Sequence, residues 1–384
     1  MDKSKSLKLL IKELLRLSIV SIALVAFLSG EAFAKELDKC REIKVVMVGD
    51  ILLHDGIEQA ARRDDGSYDY ARLFENTKDL ISEADIAIVN QEVIIGGKEL
   101  GVSGYPCFNA PYEIGDALCD AGFDVICHGT NHALDKGRQG IENCLNYWES
   151  NHPDKAVLGI CNTEEKQDNV YIWEDNGLKV AILNYTYGTN GIPMPKGMPY
   201  AVKLLDKEKI KADLEYAEEN ADFTIVCPHW GTEYELKQSK EQEKMAEYMI
   251  ANGADLIIGT HPHVIEPIEW KETIDPESGK VNRGLVYYSL GNYVNWTSGG
   301  GSKVTARMVG GMASVVLKQN KSGQVHIKKH DVIPLVSHLE ERKDGVTVYK
   351  LSEYNEELAG NNAIIKQDSS FSYEKCAEIV GEVW

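Results

Sequence analysis

The sequence lacks the short motifs of several common enzyme classes. It contains neither G-x-x-x-x-G-K-[ST] nor G-x-G-x-x-G, so nothing supports a glycine-rich loop that cradles a nucleotide. Ser289, in YSLGN, lies outside the G-x-S-x-G pattern of a nucleophile elbow. No C-x-x-C pair occurs among the eight cysteines, so a zinc ribbon or a thioredoxin-like site has no support either.

Positive charge is scarce as well. The chain carries 41 Lys and Arg against 60 Asp and Glu, a net charge of −19. Residues 1–34 hold five of the basic and three of the acidic residues, so the rest of the chain has a net charge of −21 (−19 − 5 + 3). Such a surface repels nucleic acid, and also a polyanionic substrate unless metal ions or a local basic patch offset the field. Nucleic acid is therefore not an expected partner.

The N-terminus has no long hydrophobic run but has the pattern of an export signal. Basic residues from Lys3 to Arg16 precede an apolar stretch over 17–28, and Ala-Phe-Ala at 32–34 fits a cleavage site. The stretch is shorter than the roughly 20 residues that span a membrane comfortably. We expect a signal peptide over 1–34, or alternatively an uncleaved anchor, and a protein located outside the cell or at its surface.

The cysteines follow this segment, and their even number permits disulfides in an exported protein. Cys127 and Cys227 nevertheless fall in predicted buried strands, where a free cysteine behaves as a small hydrophobe. We expect most cysteines to be unpaired, with room for one bridge. The 43% hydrophobic content is typical of a globular core.

Six segments share one pattern, in which a short apolar run closes on Asp, Glu, Asn or His. They are VVMVGDILLHD with Asp50 and His54, DIAIVNQE with Asn90 and Glu92, FDVICHGTNH with Asn131 and His132, FTIVCPHWGTE with His229 and Glu233, ADLIIGTHPH with His261 and His263, and GLVYYSLGN with Asn292. Such runs predict buried parallel strands, and ligands bind outside the carboxyl ends of those strands. One edge of one sheet is therefore expected to form a hydrolytic metal site.

Helical patterns alternate with these strands from residue 43 to about 317, which is typical of an α/β fold. A glycine- and serine-rich stretch over 295–303 predicts a mobile loop beside the site. Two antiparallel strands joined by a turn at 320–323 are expected next, and then a polar tail ending in a helix over 373–380. The predicted helices in the alternating region are 70–84, 111–121, 137–151, 207–221 and 240–252.

Two acids are the first candidate ligands. Asp50 can bridge two cations, since one anion offsets the repulsion between them, or it can cap the helix that follows. Glu92 stands just past a strand end, where an acid is either a ligand or a solvated loop residue.

Asn131 and His132 follow the third strand. Asn131 binds metal through its carbonyl oxygen, and His132 suits general-acid work if Asp135 orients it. A polar turn is the alternative for this pair.

Three histidines carry most of the prediction. His229 ends one strand, and His261 and His263 follow another in a turn that contains Pro262, where both can converge on adjacent metals. Imidazole suits zinc, iron and nickel, and manganese in mixed sites. A structural role is the alternative. His54 either binds metal or flanks the site, whereas the remaining histidines outside the pattern are expected at the surface: His152, His326, His330 and His338.

In order along about residues 43–295, the motifs resemble those of the CapA/PgsA poly-γ-glutamate capsule biosynthesis family, in the calcineurin-like metallophosphoesterase superfamily. They are GD-ILLHD, VNQE, GFDVICHGTNHALDKG, PHWGTEY, GADLIIGTHPHV and YSLGNYV. The resemblance implies a four-layer α/β/β/α sandwich with two divalent metals (Mn, Fe or Zn) at the edge of two packed sheets. One departure is that the superfamily's D-x-H is absent, since three residues separate Asp50 from His54.

The resemblance assigns roles to residues of this sequence. Asp50 looks like the bridging acid among the metal ligands Asp50, Glu92, Asn131, His229, His261 and His263. His132 and Asp135 are the candidate catalytic pair. Further ligands or supporting residues are expected among His54, Asn90, Glu233 and Asn292.

The resemblance also implies a role in making, exporting or anchoring poly-γ-glutamate. That polymer or a related anionic molecule would be the substrate, either without further partners or with membrane synthase subunits. The chain is then a metal-dependent hydrolase of a phosphoester or an amide, or an assembly component with a vestigial metal site. The expected organisation is the N-terminal signal or anchor, one metallophosphoesterase-like domain over 41–340, and an extension over 341–384 that packs on it.

Overall fold

The computed structural model describes residues 41–175, 177–274, 279–297, 303–340 and 345–384. The predicted signal, Cys40 and part of the predicted loop, residues 298–302, lie outside these ranges. The chain divides into a large unit, residues 43–317 and 327–384, and a small unit whose described residues are 41–42 and 318–326. In the small unit Gln319 N–H donates to Arg41 O (2.9 Å), and the turn expected at 320–323 is closed by a Gly323 N–H to Asn320 O bond (3.0 Å).

Strands alternate with helices along the chain, as predicted. The strands are β1 Glu42–Ile51, β2 Ile86–Gln91, β3 Val125–Cys127, β4 Ala156–Leu158, β5 Tyr171–Asp175, β6 Leu178–Thr186, β7 Phe223–His229, β8 Leu256–Ile258, β9 Ile268–Ile274, β10 Val281–Tyr287, β11 Asn292–Val294, β12 Val309–Gln319, β13 Val325–Leu339 and β14 Val346–Lys350. The α-helices are α1 Asp55–Ala61, α2 Lys78–Ser82, α3 Glu113–Ala121, α4 Gly137–Asn151, α5 Glu164–Asp168, α6 Lys207–Asn220, α7 Lys240–Ala251, α8 Val304–Arg307, α9 Glu356–Asn361 and α10 Tyr373–Val383.

Within the described residues the strands form two sheets. The first has the order β14-β13-β12-β1-β2-β3-β4, with β11 beside β1, and the second has the order β5-β6-β7-β8-β10-β9. Strands β1 to β4 are parallel, as are β6, β7, β8 and β10. The expectation that six strand ends share one sheet is wrong, because β1, β2 and β3 lie in the first sheet and β7, β8 and β10 in the second. An apolar run predicts a buried strand but does not encode which sheet it joins.

Side chains on one face of each sheet pack against helices and so form the layers of the large unit. Val46 and Val48 of β1 face a cluster that includes Ile114 of α3 and Ile141 of α4. In the second sheet, alternate residues of β6 and Val226 of β7 share a cluster with apolar residues of α6 and α7. Because a strand points successive side chains to opposite faces, the remaining residues lie between the sheets.

Contacts between the sheets complete this arrangement. The buried thiols of Cys127 in β3 and Cys227 in β7 contact each other, and this hydrogen bond, together with burial, raises the pKa of Cys127. Gly129 N–H donates to Asn184 Oδ1 in β6 (2.7 Å). The predicted four-layer α/β/β/α fold is confirmed. The cysteines are free wherever the structure describes them.

Four predicted helices form within two residues of their expected bounds, and Gly122 ends α3 in the left-handed conformation (φ 104°) as expected. The helix predicted over 70–84 is wrong, because a 3-10 turn and the short α2 replace it. Thr77 separates the two pieces, and its hydroxyl lies 2.5 Å from Tyr293 OH. A bond to so distant a residue leaves no trace in local periodicity.

One histidine expected at the surface is buried. His338 in β13 pairs with Tyr354 OH (2.9 Å), and burial lowers its pKa. The expectation failed because β14 and the chain after it cover this end of β13. His326 and His330 are exposed and His152 is partly exposed.

No helix in the described ranges is both long and apolar enough to cross a membrane.

Candidate metal centre

Asp50 lies inside β1 and does not cap a helix. Its carboxylate accepts a hydrogen bond from Asn90 Nδ2 (2.8 Å) and faces the backbone N–H of His261 (3.3 Å). The following helix begins at Asp55, with His54 in the cap position and no side-chain cap. The capping interpretation is therefore wrong.

A close approach of two strands brings β1 into position. Asp50 N–H donates to Gly291 O (3.0 Å), and a Cβ on Gly49 would clash with the same carbonyl. Glycine at position 49 therefore allows β1 to meet the turn that leads into β11. Asn292 is the first residue of β11 and does not end the preceding strand. It pairs with Asp50 in the parallel register of β1 and β11.

Glu92 follows β2 and is fully buried. Neither of its carboxylate oxygens has a hydrogen-bond partner in the structure's described part. Burial raises the pKa of Glu92 well above its usual range, although the charge of His263 opposes this shift. A buried carboxylate without hydrogen bonds is costly unless a cation lies beside it.

His229, the last residue of β7, faces Glu92 across the gap between the sheets. Its Nε2 lies 2.8 Å from Asn131 Oδ1 and 3.8 Å from Glu92 Oε1. Thr260 Oγ1 lies 3.1 Å from Nδ1 and orients the ring. Burial, and then the charge of His261, lowers the pKa of His229 well below its usual range. Neutral imidazole is the form that binds metals.

His261 and His263 occupy a strained turn. Their φ values are 101° and 58°, in the left-handed region that non-glycine residues rarely adopt. Strain of this kind is concentrated at functional sites, and here it turns both side chains toward the acids. His261 Nδ1 is buried without a partner among the described atoms, and burial lowers the pKa of this imidazole well below normal.

His263 is the imidazole that pairs with the acids. Its Nδ1 lies 3.1 Å from Asp50 Oδ2 and its Nε2 3.7 Å from Glu92 Oε1. Although burial lowers its pKa, the charges of Glu92 and Asp50 raise it to about 9.

Three groups in the described residues have ligand atoms within 4.8 Å of one another: Glu92–His229–His261, Asp50–Glu92–His263 and Glu233–His261–His263. Glu92 belongs to two groups, so it is as well placed to bridge as Asp50. Asn131, 2.8 Å from His229, adds an amide oxygen to the first group. The structure therefore brings all six predicted ligands together, and their binding of metal stays a prediction.

The donor set fits a divalent cation. It combines imidazole nitrogens with carboxylate and amide oxygens, which suits zinc, iron or manganese. The unpartnered atoms of Glu92 and His261 are the ones that a cation would satisfy.

Of the supporting candidates, three contact the ligands or share a group with them, whereas His54 lines the same cleft as His263. Asn90 Nδ2 contacts Asp50 and His229, Asn292 Oδ1 lies 3.1 Å from His263 Nδ1, and Glu233 is an exposed member of the third group. His54 lies outside all three groups. Its ring packs edge-on against Phe108, and burial lowers its pKa to about 4.

The predicted catalytic pair lies on one wall of the site. His132 Nδ1 is 2.7 Å from Asp135 Oδ2, which also accepts the Phe108 N–H (2.7 Å). Phe108 packs edge-on against His132, with 4.6 Å between ring centroids. Asp135 and Phe108 thus fix the imidazole orientation.

A cleft of about 710 Å³ lies beside the ligands. Its walls include four residues that the strand-end pattern missed: Tyr105, Asn190, Tyr234 and Arg307. They come from loops and the short α8, where no periodic signal marks them. For Arg307 alone, the sequence offers a signal, which is its position shortly after the glycine-rich stretch over 295–303.

A family model described as "Bacterial capsule synthesis protein PGA_cap" matches residues 44–297. The chain belongs to this family. All six candidate metal ligands of this PGA_cap protein lie within the matched residues, whereas Arg307 lies beyond them.

Two curated relatives are similar over part of their length. The chain is 31% identical over 219 residues to "PGA biosynthesis protein CapA" of Bacillus subtilis (strain 168), covering 56% of this chain and 52% of the relative. It is 28% identical over 268 residues to "Capsule biosynthesis protein CapA" of Bacillus anthracis, covering 67% and 61%. The matches therefore span less than two thirds of either relative.

Solved structures with a related arrangement include Haemophilus influenzae NAD nucleotidase (NadN), at 14% identity and a TM-score of 0.47, covering 90% of this chain and 67% of that one. The 5'-nucleotidase precursor from Thermus thermophilus has 13% identity and a TM-score of 0.46, covering 89% and 58%.

Proposed function

We propose that this capsule synthesis family member is an exported, metal-dependent hydrolase that acts on an amide or phosphoester during poly-γ-glutamate synthesis, export or anchoring. The observation that carries the proposal is the environment of Glu92. Its buried carboxylate has no hydrogen-bond partner among the described residues and lies within 4.8 Å of ligand atoms of three histidines and Asp50. Such a donor set without other partners is what a divalent metal, in one or two positions, would satisfy.

When bound, divalent ions would lower the pKa of water and polarise the group under attack. Glu92, His229 and His261, with Asn131, would hold one ion, and Asp50, Glu92 and His263 the other. Asn90 and Asn292 keep the side chains of Asp50 and His263 in place through their hydrogen bonds.

His132 would move the proton. Asp135 holds its Nδ1 (2.7 Å) and stabilises the imidazolium, so Nε2 would donate a proton to the leaving group. His132 lines the cleft while being only 6% exposed, so bulk water has little access to it.

Metal content is the decisive test. We expect purified protein to hold up to about two divalent ions per chain, and chelation to lower its melting temperature. Ligand binding at 100 times its Kd stabilises a fold by about 2.7 kcal/mol, so the shift should be measurable. Elemental analysis and thermal unfolding, with and without added Zn²⁺ or Mn²⁺, give the result.

Matched variants locate the ions. Glu92→Gln should lose bound metal, whereas Glu241→Gln, on the exposed face of α7, should keep it. Wild-type protein that takes up no divalent metal even when it is supplied would rule out the proposal.

A non-catalytic role is the second candidate. The superfamily's D-x-H is absent, and His54 lies outside the ligand groups of the described residues. The chain would then be an assembly component of a membrane polyglutamate synthase. Metal-loaded protein that hydrolyses neither an aryl phosphate nor poly-γ-glutamate would favour this candidate.

Export can be tested separately. The basic and apolar pattern of residues 1–34 supports cleavage after Ala34. N-terminal sequencing of protein recovered outside the cytoplasm should begin near Lys35, whereas an intact Met1 there would indicate an anchor. Finding the bulk of the protein free in the cytoplasm would contradict export.

A further inference from the structure

We propose that Arg307 binds a substrate carboxylate in the cleft and so selects a γ-glutamyl chain. This inference rests on the proposed function for the identity of the substrate. Arg307 ends α8 and lines the cleft. It is the lone lysine or arginine among the described lining residues, which also include the acids Asp135 and Glu233.

Stacking leaves the guanidinium free to bind an anion. Its central carbon lies 3.8 Å from the ring centroid of Tyr234, and Nη1 donates to Thr297 Oγ1 (3.0 Å). No carboxylate of the described residues forms an ion pair with it. An arginine whose face rests on an aromatic ring keeps its N–H edge available for two parallel hydrogen bonds to a carboxylate.

The backbone ties Arg307 to the candidate metal ligands. Its carbonyl accepts a hydrogen bond from Asn292 Nδ2 (2.9 Å), and Asn292 Oδ1 faces His263 (3.1 Å). The ring centroids of Tyr234 and His263 are 6.0 Å apart. Arg307 is thus connected through Asn292 and Tyr234 to the same ligand.

A γ-glutamyl chain has a carboxylate for Arg307 and an amide for the candidate metal ligands. Each γ-linked residue carries an α-carboxylate, and standard bond lengths give a repeat of roughly 6 Å. With an amide of the chain at the metal ligands, a neighbouring α-carboxylate would reach Arg307. The protein itself has a net charge of −19 and otherwise repels such a substrate. A local cation would offset this repulsion.

Binding of a γ-linked glutamate oligomer to metal-supplemented full-length protein, followed by calorimetry, tests the inference. A second oligomer with α-carboxamides in place of the carboxylates measures the contribution of charge. Wild-type protein should prefer the carboxylate oligomer. The affinity of Arg307→Met for this oligomer should be lower by a factor of roughly ten or more, because a bidentate charge-assisted pair is lost. Arg307→Lys keeps the charge without the planar edge and should be intermediate.

Arg283→Met is the matched control. Arg283 also stacks on an aromatic ring, Trp270 (4.3 Å), but on the surface of the β9–β10 hairpin. This variant should bind like the wild type. If Arg307 merely fixes the chain around Thr297, Arg307→Met should lower the melting temperature and weaken the binding of both oligomers equally. If Arg307→Met does not fold, the affinities of Arg307→Lys for the two oligomers decide the question.

Equal binding of both oligomers by the wild type, no binding of either, or unchanged binding by Arg307→Met would overturn the inference. Hydrolysis measured in the same samples separates the two proposals. A carboxylate preference without hydrolysis would reject the catalytic function and leave the role of Arg307 standing. Hydrolysis that proceeds equally fast in the wild type and in Arg307→Met would support the catalytic function and reject the role of Arg307.

Discussion

Replacing His261 with alanine is expected to abolish metal binding and turnover together. His261 belongs to two of the three ligand groups, and its Nδ1 has no partner among the described atoms. Loss of residues that only support metal ligands weakens metal affinity about 10- to 100-fold, so loss of a direct ligand should exceed about 100-fold. Elemental analysis of the variant, with turnover of an aryl phosphate and of poly-γ-glutamate, measures both effects.

The backbone at this position needs its own control. His261 has a φ of 101°, which strains alanine but not glycine. His261→Gly should lose metal as His261→Ala does, and His330→Ala, at an exposed histidine, should keep it. Metal lost from the alanine variant but retained by the glycine variant would assign the effect to the backbone and argue against His261 as a ligand.

His132→Ala is expected to lower turnover by roughly 10²- to 10⁴-fold while metal content stays at the wild-type level. The imidazole lies in the cleft beside Asp135, outside all three ligand groups of the described residues. Removing it would therefore remove the proton donor and leave the metal ligands intact. Steady-state kinetics and elemental analysis of the same preparation provide the measurement.

Asp135→Asn tests how the proton donor is held. The amide preserves the shape of Asp135 but cannot stabilise an imidazolium as a carboxylate does, so turnover should fall less than in His132→Ala and its pH dependence should shift. A His132 variant that turns over every substrate as fast as the wild type would contradict this assignment. Parallel loss of metal would instead make His132 a ligand.

Local patterns predicted the strands well. The apolar runs before Asp50, Glu92 and His229 specify buried parallel strands, and those strands form. Periodicity failed where a distant group competes with a helix, as Tyr293 does at Thr77. The strand-end pattern also misplaced His338, which lies outside it and was expected at the surface, because a later segment covers this residue.

The sequence by itself determined which residues are available for the site, because polar residues that close apolar runs must lie at strand ends. Only the tertiary structure decided how they combine. Packing of two sheets brought His229 of one to Glu92 of the other and left both oxygens of Glu92 unpartnered among the described residues. It also placed Arg307 over Tyr234. These contacts join residues far apart along the chain, and their distances depend on the packing of whole layers rather than on any local pattern.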